Sequence, residues 1–311
     1  MVELRKDYIL DRYVIVASER AKRPHDFKNR EEEAENGQCF FCPGNEHKTP
    51  PEIARIEGKK VWAMRVFENK FPAVQGNGKT ELETHNEYFT FADAVGRHEI
   101  IVETPEHKEQ LWDFSPTRMK KLFLLYQDRI SVLENEEGVK YVSLFKNHGK
   151  EGGASLMHSH TQVIAYNLIP TEIMQKEQKS RNVCPYCKII EKEKDSLRKI
   201  SENEAFVSFT PYASRFLFEA WVFPKRHVVS IKELNKGEIQ KLVENIRPIL
   251  KKLKESNAPY NMYLQEGAHN MHFHIIIAPR LANWAGFELS TGTVINPVSP
   301  EDAAEFYRNK Q

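Results

Sequence analysis

Apolar positions along the chain fall into two periods. Met119, Leu122, Phe123, Tyr126, Ile130 and Leu133 recur at helical spacing, behind Ser115 as a candidate N-cap and Pro116 at the first helical position. A second stripe, Ile239, Leu242, Val243, Ile246, Leu250 and Leu253, follows Asn235, which stands three residues before Glu238 in a capping-box arrangement. Pro248 inside this stripe predicts a kink. Around each stripe the period drops to two. HEIIVE and FEAWVF precede the helices, YVSLFKN (Tyr141–Asn147) and YNMYLQ (Tyr260–Gln265) follow them, and TQVIAY and IIIAP come next. One main helix among short alternating strands predicts an α+β fold with largely antiparallel sheets joined by hairpins.

The elements come twice. His98–Leu122 aligns without gaps on Phe218–Leu242, so that Glu99 falls on Glu219, His107 on His227 and Leu122 on Leu242, each 120 positions apart. Glu68-Asn69 matches Glu202-Asn203 upstream, and MHSHTQVIA (Met157–Ala165) matches MHFHIIIAP (Met271–Pro279) at an offset of 114. The common order of these matches indicates an internal duplication with shorter connections in the second copy. It predicts two repeats, residues 1–174 and 175–311, with the charged stretch from Lys176 to Lys199 at the junction as a solvated helix face.

Composition excludes some functions. Lys and Arg total 45 against 44 Asp and Glu, a net charge of +1, which leaves no bulk excess for binding nucleic acid or a membrane surface. No apolar run approaches the ~20 residues of a membrane span, and MVELRKDYILDRY lacks the apolar core of a signal peptide, so a cytoplasmic location is expected. The four cysteines form two C-x-x-C pairs, Cys39/Cys42 and Cys184/Cys187. In a cytosolic chain such pairs point to metal binding ahead of redox chemistry or plain structural thiols, because both lead-ins are polar rather than an apolar strand. A tetrahedral metal needs two more donors at each pair, and the duplication nominates them. One set is Cys39, Cys42, His107 and His158; the other is Cys184, Cys187, His227 and His272. Four protein donors leave no open position, which makes these structural sites for zinc, two ions per chain, with iron as the alternative at the second.

The second histidines of the two H-x-H motifs, His160 and His274, remain. Residues i and i+2 of a strand share a face, so His160 is expected beside His158 but free of the metal. Ser155, Ser159 and Gln162 surround it in sequence, behind a loop with Asn147, Gly149, Gly152 and Gly153. Small residues let backbone N–H groups approach a phosphate, and a free imidazole beside such a cradle is a nucleophile for phosphorus; a third metal donor or a buried structural histidine is the other reading. As a nucleophile, His160 has to keep one ring nitrogen unprotonated while the other donates to a nearby backbone carbonyl.

CFFCPGNE, FENKFP, PEH and LFKNHGKEGGASLMHSHTQ, with ERAKRP (Glu19–Pro24) before them and GFELSTGTVINPVSPEDAA near the end, resemble the galactose-1-phosphate uridylyltransferases, a branch of the histidine-triad superfamily. The resemblance runs from about Asp11 to Phe306. It implies a duplicated histidine-triad fold, a homodimer whose active sites share residues, and ping-pong nucleotidyl transfer from UDP-glucose to a hexose 1-phosphate. By motif, His160 is implied to be the covalent nucleophile, Ser155 and Gln162 to hold the transferred phosphoryl, and Asn69 and Asn147 to line the nucleotide site, with Gly149 among the substrate-binding positions. Arg20 and Arg23 are implied to add positive charge, and Phe287 and Glu288 to meet the sugar. Three positions depart from the family pattern. Ser159 replaces the proline between the histidines, as in a plant relative that moves adenylyl groups from ADP-glucose to phosphate. Phe287 replaces a tyrosine, and an accompanying lysine is missing near Leu281-Ala282-Asn283. A pocket with fewer fixed donors should accept glucose and galactose 1-phosphates alike. Two further readings are therefore carried: ADP-glucose:phosphate adenylyl transfer through the same histidine, and a zinc-stapled nucleotide-binding or scaffold protein without turnover.

Overall fold

The computed structural model describes residues 2–18, 39–267 and 269–309, and the chain divides into two compact units. One holds the described residues within Met1–Ala34, Asn147–Ser155 and Glu172–Gln311; the other holds those within Glu35–Lys146 and Leu156–Thr171. The chain opens in the first unit with β1 (Val2–Lys6) and β2 (Tyr13–Ala17), paired antiparallel.

The second unit follows with β3 (Glu52–Glu57), β4 (Trp62–Glu68), the small exposed hairpin β5 (Glu83–His85) and β6 (Phe89–Phe91), and β7 (Gly96–Val102). Helix α1 (Pro116–Leu133) comes next, then β8 (Tyr141–His148) and β9 (His160–Tyr166). The strands lie in the order β3-β4-β7-β9-β8, every neighbouring pair antiparallel. The expected cap is present: Ser115 accepts from the Arg118 N–H, Pro116 sits at the first helical position, and all six residues of the apolar stripe are buried.

After α2 (Thr171–Ser180) and α3 (Pro185–Glu193), the first unit repeats that plan. It runs through β10 (Lys199–Glu202), β11 (Phe206–Phe209), β12 (Ala220–Pro224), helix α4 (Lys236–Glu255), β13 (Tyr260–Gln265) and β14 (His274–Pro279). Its strand order, β10-β11-β12-β14-β13, is the order of the other sheet element for element, again all antiparallel. The duplication seen in sequence is thus a duplication of topology, with the long helix in both cases inserted between the third and fourth strands. The chain closes with α5 (Gly286–Thr291), β15 (Val294–Asn296), which pairs parallel with β2, and α6 (Pro300–Arg308). Among the described residues no helix is long and apolar enough to cross a membrane.

Alternation within β7 and β9 sorts side chains onto two faces of the sheet. Glu99 and Thr161 point toward α1, where they bond Arg129 and Tyr126. His98, Ile100 and Val102 point the other way, together with their cross-strand neighbours Gln162 and His160. At the start of α4, Asn235 Oδ1 accepts the N–H groups of Gly237 and Glu238, and Glu238 returns a bond to the Asn235 N–H. Replacing Asn235 with alanine is expected to lower stability by about 1 kcal/mol, read as a shift in the denaturant midpoint at constant slope; an unchanged midpoint would show that the box adds nothing.

Candidate active site and metal centres

Both predicted four-residue donor sets assemble, each within one unit. Cys39, Cys42, His107 and His158 bring their ligand atoms within 4.8 Å of one another, and so do Cys184, Cys187, His227 and His272. The first pair of thiols is held in a tight turn by the Cys42 N–H on the Cys39 carbonyl and by Asn45 Nδ2 on the same carbonyl at 2.8 Å. Cys42 Sγ lies 3.4 Å from His107 Nδ1 and 3.7 Å from His158 Nδ1, and Cys39 Sγ lies 3.6 Å from His158 Nδ1. These are the edges of a tetrahedron with bonds of ~2.3 Å to sulfur and ~2.1 Å to nitrogen. His158 Nε2 sits 2.7 Å from the Thr104 carbonyl. A carbonyl only accepts, so Nε2 carries the proton and the Nδ1 lone pair faces the sulfurs. The second set repeats this arrangement. Cys184 is the N-cap of α3, Cys187 Sγ lies 3.4 and 3.5 Å from the Nδ1 atoms of His227 and His272, and His272 Nε2 donates to the Pro224 carbonyl at 2.9 Å. Burial, with Cys184 alongside, pushes the Cys187 thiol up to about 11; a bound cation is what holds such a pair as thiolates. The donors therefore fit a closed, four-coordinate metal at each position.

His160 opens β9, opposite Val102 of β7, and is buried. Its Nδ1 lies 2.8 Å from the His158 carbonyl. That bond fixes the proton on Nδ1 and leaves the Nε2 lone pair available, the arrangement a nucleophile requires. Burial, with a further contribution from the Lys146 ammonium, holds the imidazole below its ordinary range despite the carbonyl bond, so the ring is neutral near pH 7. His158 itself lies in a bend before β9 rather than in the strand. The two rings nevertheless meet a common neighbour, since Phe41 stands edge-on to both, 6.1 Å from His158 and 5.4 Å from His160.

Gln162, two residues along the same face, is held by a residue that the sequence pattern did not single out. His98 Nδ1 accepts the Ala73 N–H at 3.1 Å, which puts the ring proton on Nε2, and Nε2 donates to Gln162 Oε1 at 2.9 Å. Burial holds this imidazole below its ordinary range. The Asn69 N–H bonds the His98 carbonyl, and its side-chain amide lies 3.2 Å from the His98 ring. His98 thus ties together Asn69 and Gln162. A signal existed: His98 aligns with Phe218 in the other repeat, a polar residue where the duplicate keeps an apolar one.

The remaining candidates fall in the other unit. Asn147 Oδ1 accepts Asn261 Nδ2 at 2.8 Å, and the same amide donates to the Gly152 carbonyl at 2.6 Å, fixing the loop. Gly149 has φ of +75°, and a Cβ there would lie 2.8 Å from Pro259 Cβ, so only glycine fits. Ser155 is exposed. Phe287 is 43% exposed on α5, and Glu288 caps that helix through the Ala285 N–H. Arg20 and Arg23 lie outside the described residues.

The charged stretch from Lys176 to Lys199 is not simply the solvated face that was expected. Lys176, Glu177 and Glu193 are buried. Lys176 pairs with Glu172 at 2.7 Å and bonds Gln265, the strand partner of His274, at 2.5 Å. Glu177 accepts the backbone N–H groups of His269 and Asn270 at 3.0 and 3.1 Å. Counting back from the matched Met157 and Met271, those two residues stand where Ser155 and Leu156 stand in the first repeat. A carboxylate of the chain itself therefore occupies the loop amides that correspond to the candidate phosphate cradle. His274 keeps the bond to the preceding histidine's carbonyl (2.9 Å) but is sealed under Tyr186, Trp221 and Phe223. The contacts of Lys176 with Gln265 and of Glu177 with the 269–270 loop span about 90 residues of sequence, beyond the reach of local charge patterning.

Residues 2–170 match the family model described as galactose-1-phosphate uridyl transferase, N-terminal domain, and residues 96–308 match a model described only as a domain of unknown function. The chain is 33% identical to an ADP-glucose phosphorylase of Arabidopsis thaliana, covering 98% of this chain and 92% of that protein. It is 29% identical to a galactose-1-phosphate uridylyltransferase of Thermotoga maritima, over 100% and 99% of the two chains. Among solved structures, an Arabidopsis thaliana ADP-glucose phosphorylase with bound ADP-glucose superposes with a TM-score of 0.85 at 29% identity, covering all of both chains. A uridylyltransferase superposes at 0.76 with 26% identity, over 99% and 97%.

Elemental analysis of Cys42→Ser and of Cys187→Ser is expected to give one metal ion fewer per chain than the parent in each case. Undiminished metal in either variant would break up that donor set.

Proposed function

The chain belongs to the galactose-1-phosphate uridylyltransferase family, and we propose that it is a hexose-1-phosphate uridylyltransferase working by ping-pong transfer through His160. The observation that carries this reading is the buried imidazole whose Nδ1–H is committed to the His158 carbonyl, with the Nε2 lone pair left for attack. In the first half-reaction Nε2 attacks the α-phosphorus of UDP-glucose. The N–P bond forms as the bond from phosphorus to the bridging oxygen breaks, and glucose 1-phosphate leaves with that oxygen and its electron pair. The leaving group is a stable anion, so it needs little general-acid help. In the second half-reaction a phosphate oxygen of the incoming hexose 1-phosphate takes the uridylyl group and frees the imidazole. Gln162, held by His98, and Ser155 are assigned to the transferred phosphoryl. Asn69, Asn147 and Gly149 are assigned to the nucleotide, Arg20 and Arg23 to its charge, and Phe287 and Glu288 to the sugar. Orientation and neutral donors carry such a transfer.

Zinc is the metal assigned to both donor sets, because two thiolates with two imidazoles in a closed tetrahedron suit it, and its contribution there is to fold stability. A cytoplasmic setting keeps those thiols reduced. A homodimer is also proposed: the β5–β6 hairpin exposes Tyr88, Phe89 and Phe91 beside Leu82, an apolar patch of the kind that a second copy covers. Sedimentation equilibrium is expected to return twice the 36.3 kDa chain mass, and the mass of a single chain would refute the dimer.

Adenylyl transfer from ADP-glucose to phosphate is the second reading. It is favoured by Ser159 between the histidines, by Phe287 in the sugar segment, and by the likeness to the plant ADP-glucose phosphorylase. Intact-mass spectrometry after incubation with UDP-glucose or ADP-glucose separates the two by the mass of the adduct. The expected result is one uridylyl group per chain, since Glu177 fills the second repeat's cradle, and none on His160→Gly, which keeps its metal. An adenylyl adduct alone would select the second reading; no adduct from either donor would leave a binding protein without turnover. With the parent enzyme, glucose 1-phosphate and galactose 1-phosphate are expected to differ by less than about tenfold in kcat/KM. A preference beyond about a hundredfold would show that other residues read the C4 hydroxyl.

A further inference from the structure

Directly behind the His158-Ser159-His160 segment, on the face of the sheet toward α1, lies a buried polar network. Lys146 Nζ donates to Glu103 Oε2 at 2.7 Å, to Ser159 Oγ at 2.9 Å and to the His160 carbonyl at 3.1 Å. Glu103 also accepts the hydroxyls of Ser159 (2.6 Å), Thr161 (2.5 Å) and Tyr126 (2.9 Å). Both charged side chains are at most 1% exposed.

The duplicate repeat shows what the fold requires at these positions. By the alignment offsets, Glu103 corresponds to Phe223, Tyr126 to Ile246, Ser159 to Phe273 and Thr161 to Ile275. The strand register matches Phe145 to Tyr263, hence Lys146 to Leu264. All five counterparts are apolar and buried. The same topology is therefore built with a hydrocarbon core in one repeat and an ion pair with three hydroxyls in the other. Exchange of a buried ion pair for well-packed apolar residues is commonly neutral or stabilising, so stability does not account for the charged version. The ladders differ in step with this. In the duplicate, β13–β14 pairing extends to His274 itself, whereas β8–β9 pairing stops at Gln162, short of His160. The His160 carbonyl, beyond the end of that pairing, is taken by the Lys146 ammonium instead.

We propose that Lys146 and Glu103, bridged by Ser159, are positioning residues for the nucleophile: on the side of β9 where β8 pairing has ended they hold the strand by its backbone, so that the His160 ring, paired only with β7, is kept aimed. The proposal deepens the nucleotidyl-transfer reading and depends on it only for the activity readout. It also assigns a task to the serine that replaces proline, because a proline cannot bridge the two charges.

The test uses the metal-loaded full chain. A transplant of the duplicate's core (Glu103→Phe, Tyr126→Ile, Lys146→Leu, Ser159→Phe and Thr161→Ile together) is compared with the conservative pair Ser159→Ala and Ser159→Thr. For the transplant, melting temperature, metal content and donor Kd are expected to stay near the parent values. Its rate of adduct formation in a single turnover falls by about a hundredfold, the usual cost of a misplaced reacting group. Ser159→Ala is expected to slow the adduct step with Kd unchanged, and Ser159→Thr to restore it. Nitrogen-15 chemical shifts of the His160 ring, which need no substrate, are expected to show a single Nδ1–H tautomer in the parent and a mixture in Ser159→Ala. Adduct formation within about threefold of the parent rate in Ser159→Ala, or in a folded transplant, would overturn the proposal. If the parent forms no adduct with UDP-glucose or ADP-glucose, it is the nucleotidyl-transfer reading that fails, and the tautomer measurement still decides whether the network positions the ring.

Discussion

His158 donates its Nε2–H to the Thr104 carbonyl at 2.7 Å, and His160 donates its Nδ1–H to the His158 carbonyl at 2.8 Å; these two bonds give neighbouring rings opposite tasks. The first exposes a Nδ1 lone pair to the thiols, the second a Nε2 lone pair to the face where Gln162 and His98 lie. Exchange the protonated nitrogen on either ring and the donor set would lose a lone pair, or the proposed transfer its nucleophile. Burial holds both rings below their ordinary range, outweighing the opposing pull of the Glu103 carboxylate, and so favours the neutral state on which both depend.

Duplication supplied the same pair of bonds a second time, at His272 and His274. The repeats then diverged around the second histidine. In one, apolar residues fill the back of the strand, the ladder closes over the histidine and α2 lays Glu177 across the loop amides. In the other, the back is charged, the β8–β9 ladder stops short of the histidine and the loop keeps its glycines. The four-residue donor sets are alike in both, so the divergence lies around the second histidine and not at the metal donors.

Much of this was legible in the sequence because it is periodic or repeated. The helix stripes and their caps followed from 3.6-residue spacing, the strands from alternation, and the donor sets from the order of Cys and His in two copies. Three features were not legible for a common reason. His98, the Glu103–Lys146 network and the contact of Glu177 with the loop before His272 join residues 13 to 93 positions apart, and each depends on which face of a strand or helix a side chain takes after packing. Charge patterning read Lys176 and Glu177 as solvent-facing because the contacts that bury them, with Gln265 and the 269–270 loop, come from about 90 residues away. The duplication carried a usable hint that pattern reading passed over: positions where one copy is polar and its counterpart apolar, such as His98 against Phe218 and Glu103 against Phe223, mark the working repeat.

A closed metal site is usually assigned to stability and left out of the chemistry. Here the two cannot be separated so cleanly, because His158 is at once a metal donor through its ring and the hydrogen-bond acceptor for His160 through its carbonyl. The ring faces the Cys39 and Cys42 sulfurs in front, and the His160 carbonyl, two residues on, is held from behind by Lys146. Backbone freedom between two such anchors, two residues apart, is small, and a carbonyl that cannot turn keeps the His160 proton on Nδ1. Without a metal the His158 ring would lose that anchor, and the carbonyl that accepts the His160 Nδ1–H would be freer to turn with it. An ion bound there would act on the proposed nucleotidyl transfer through geometry alone, without contacting substrate, in the way that an outer hydrogen-bond partner tunes a ligand.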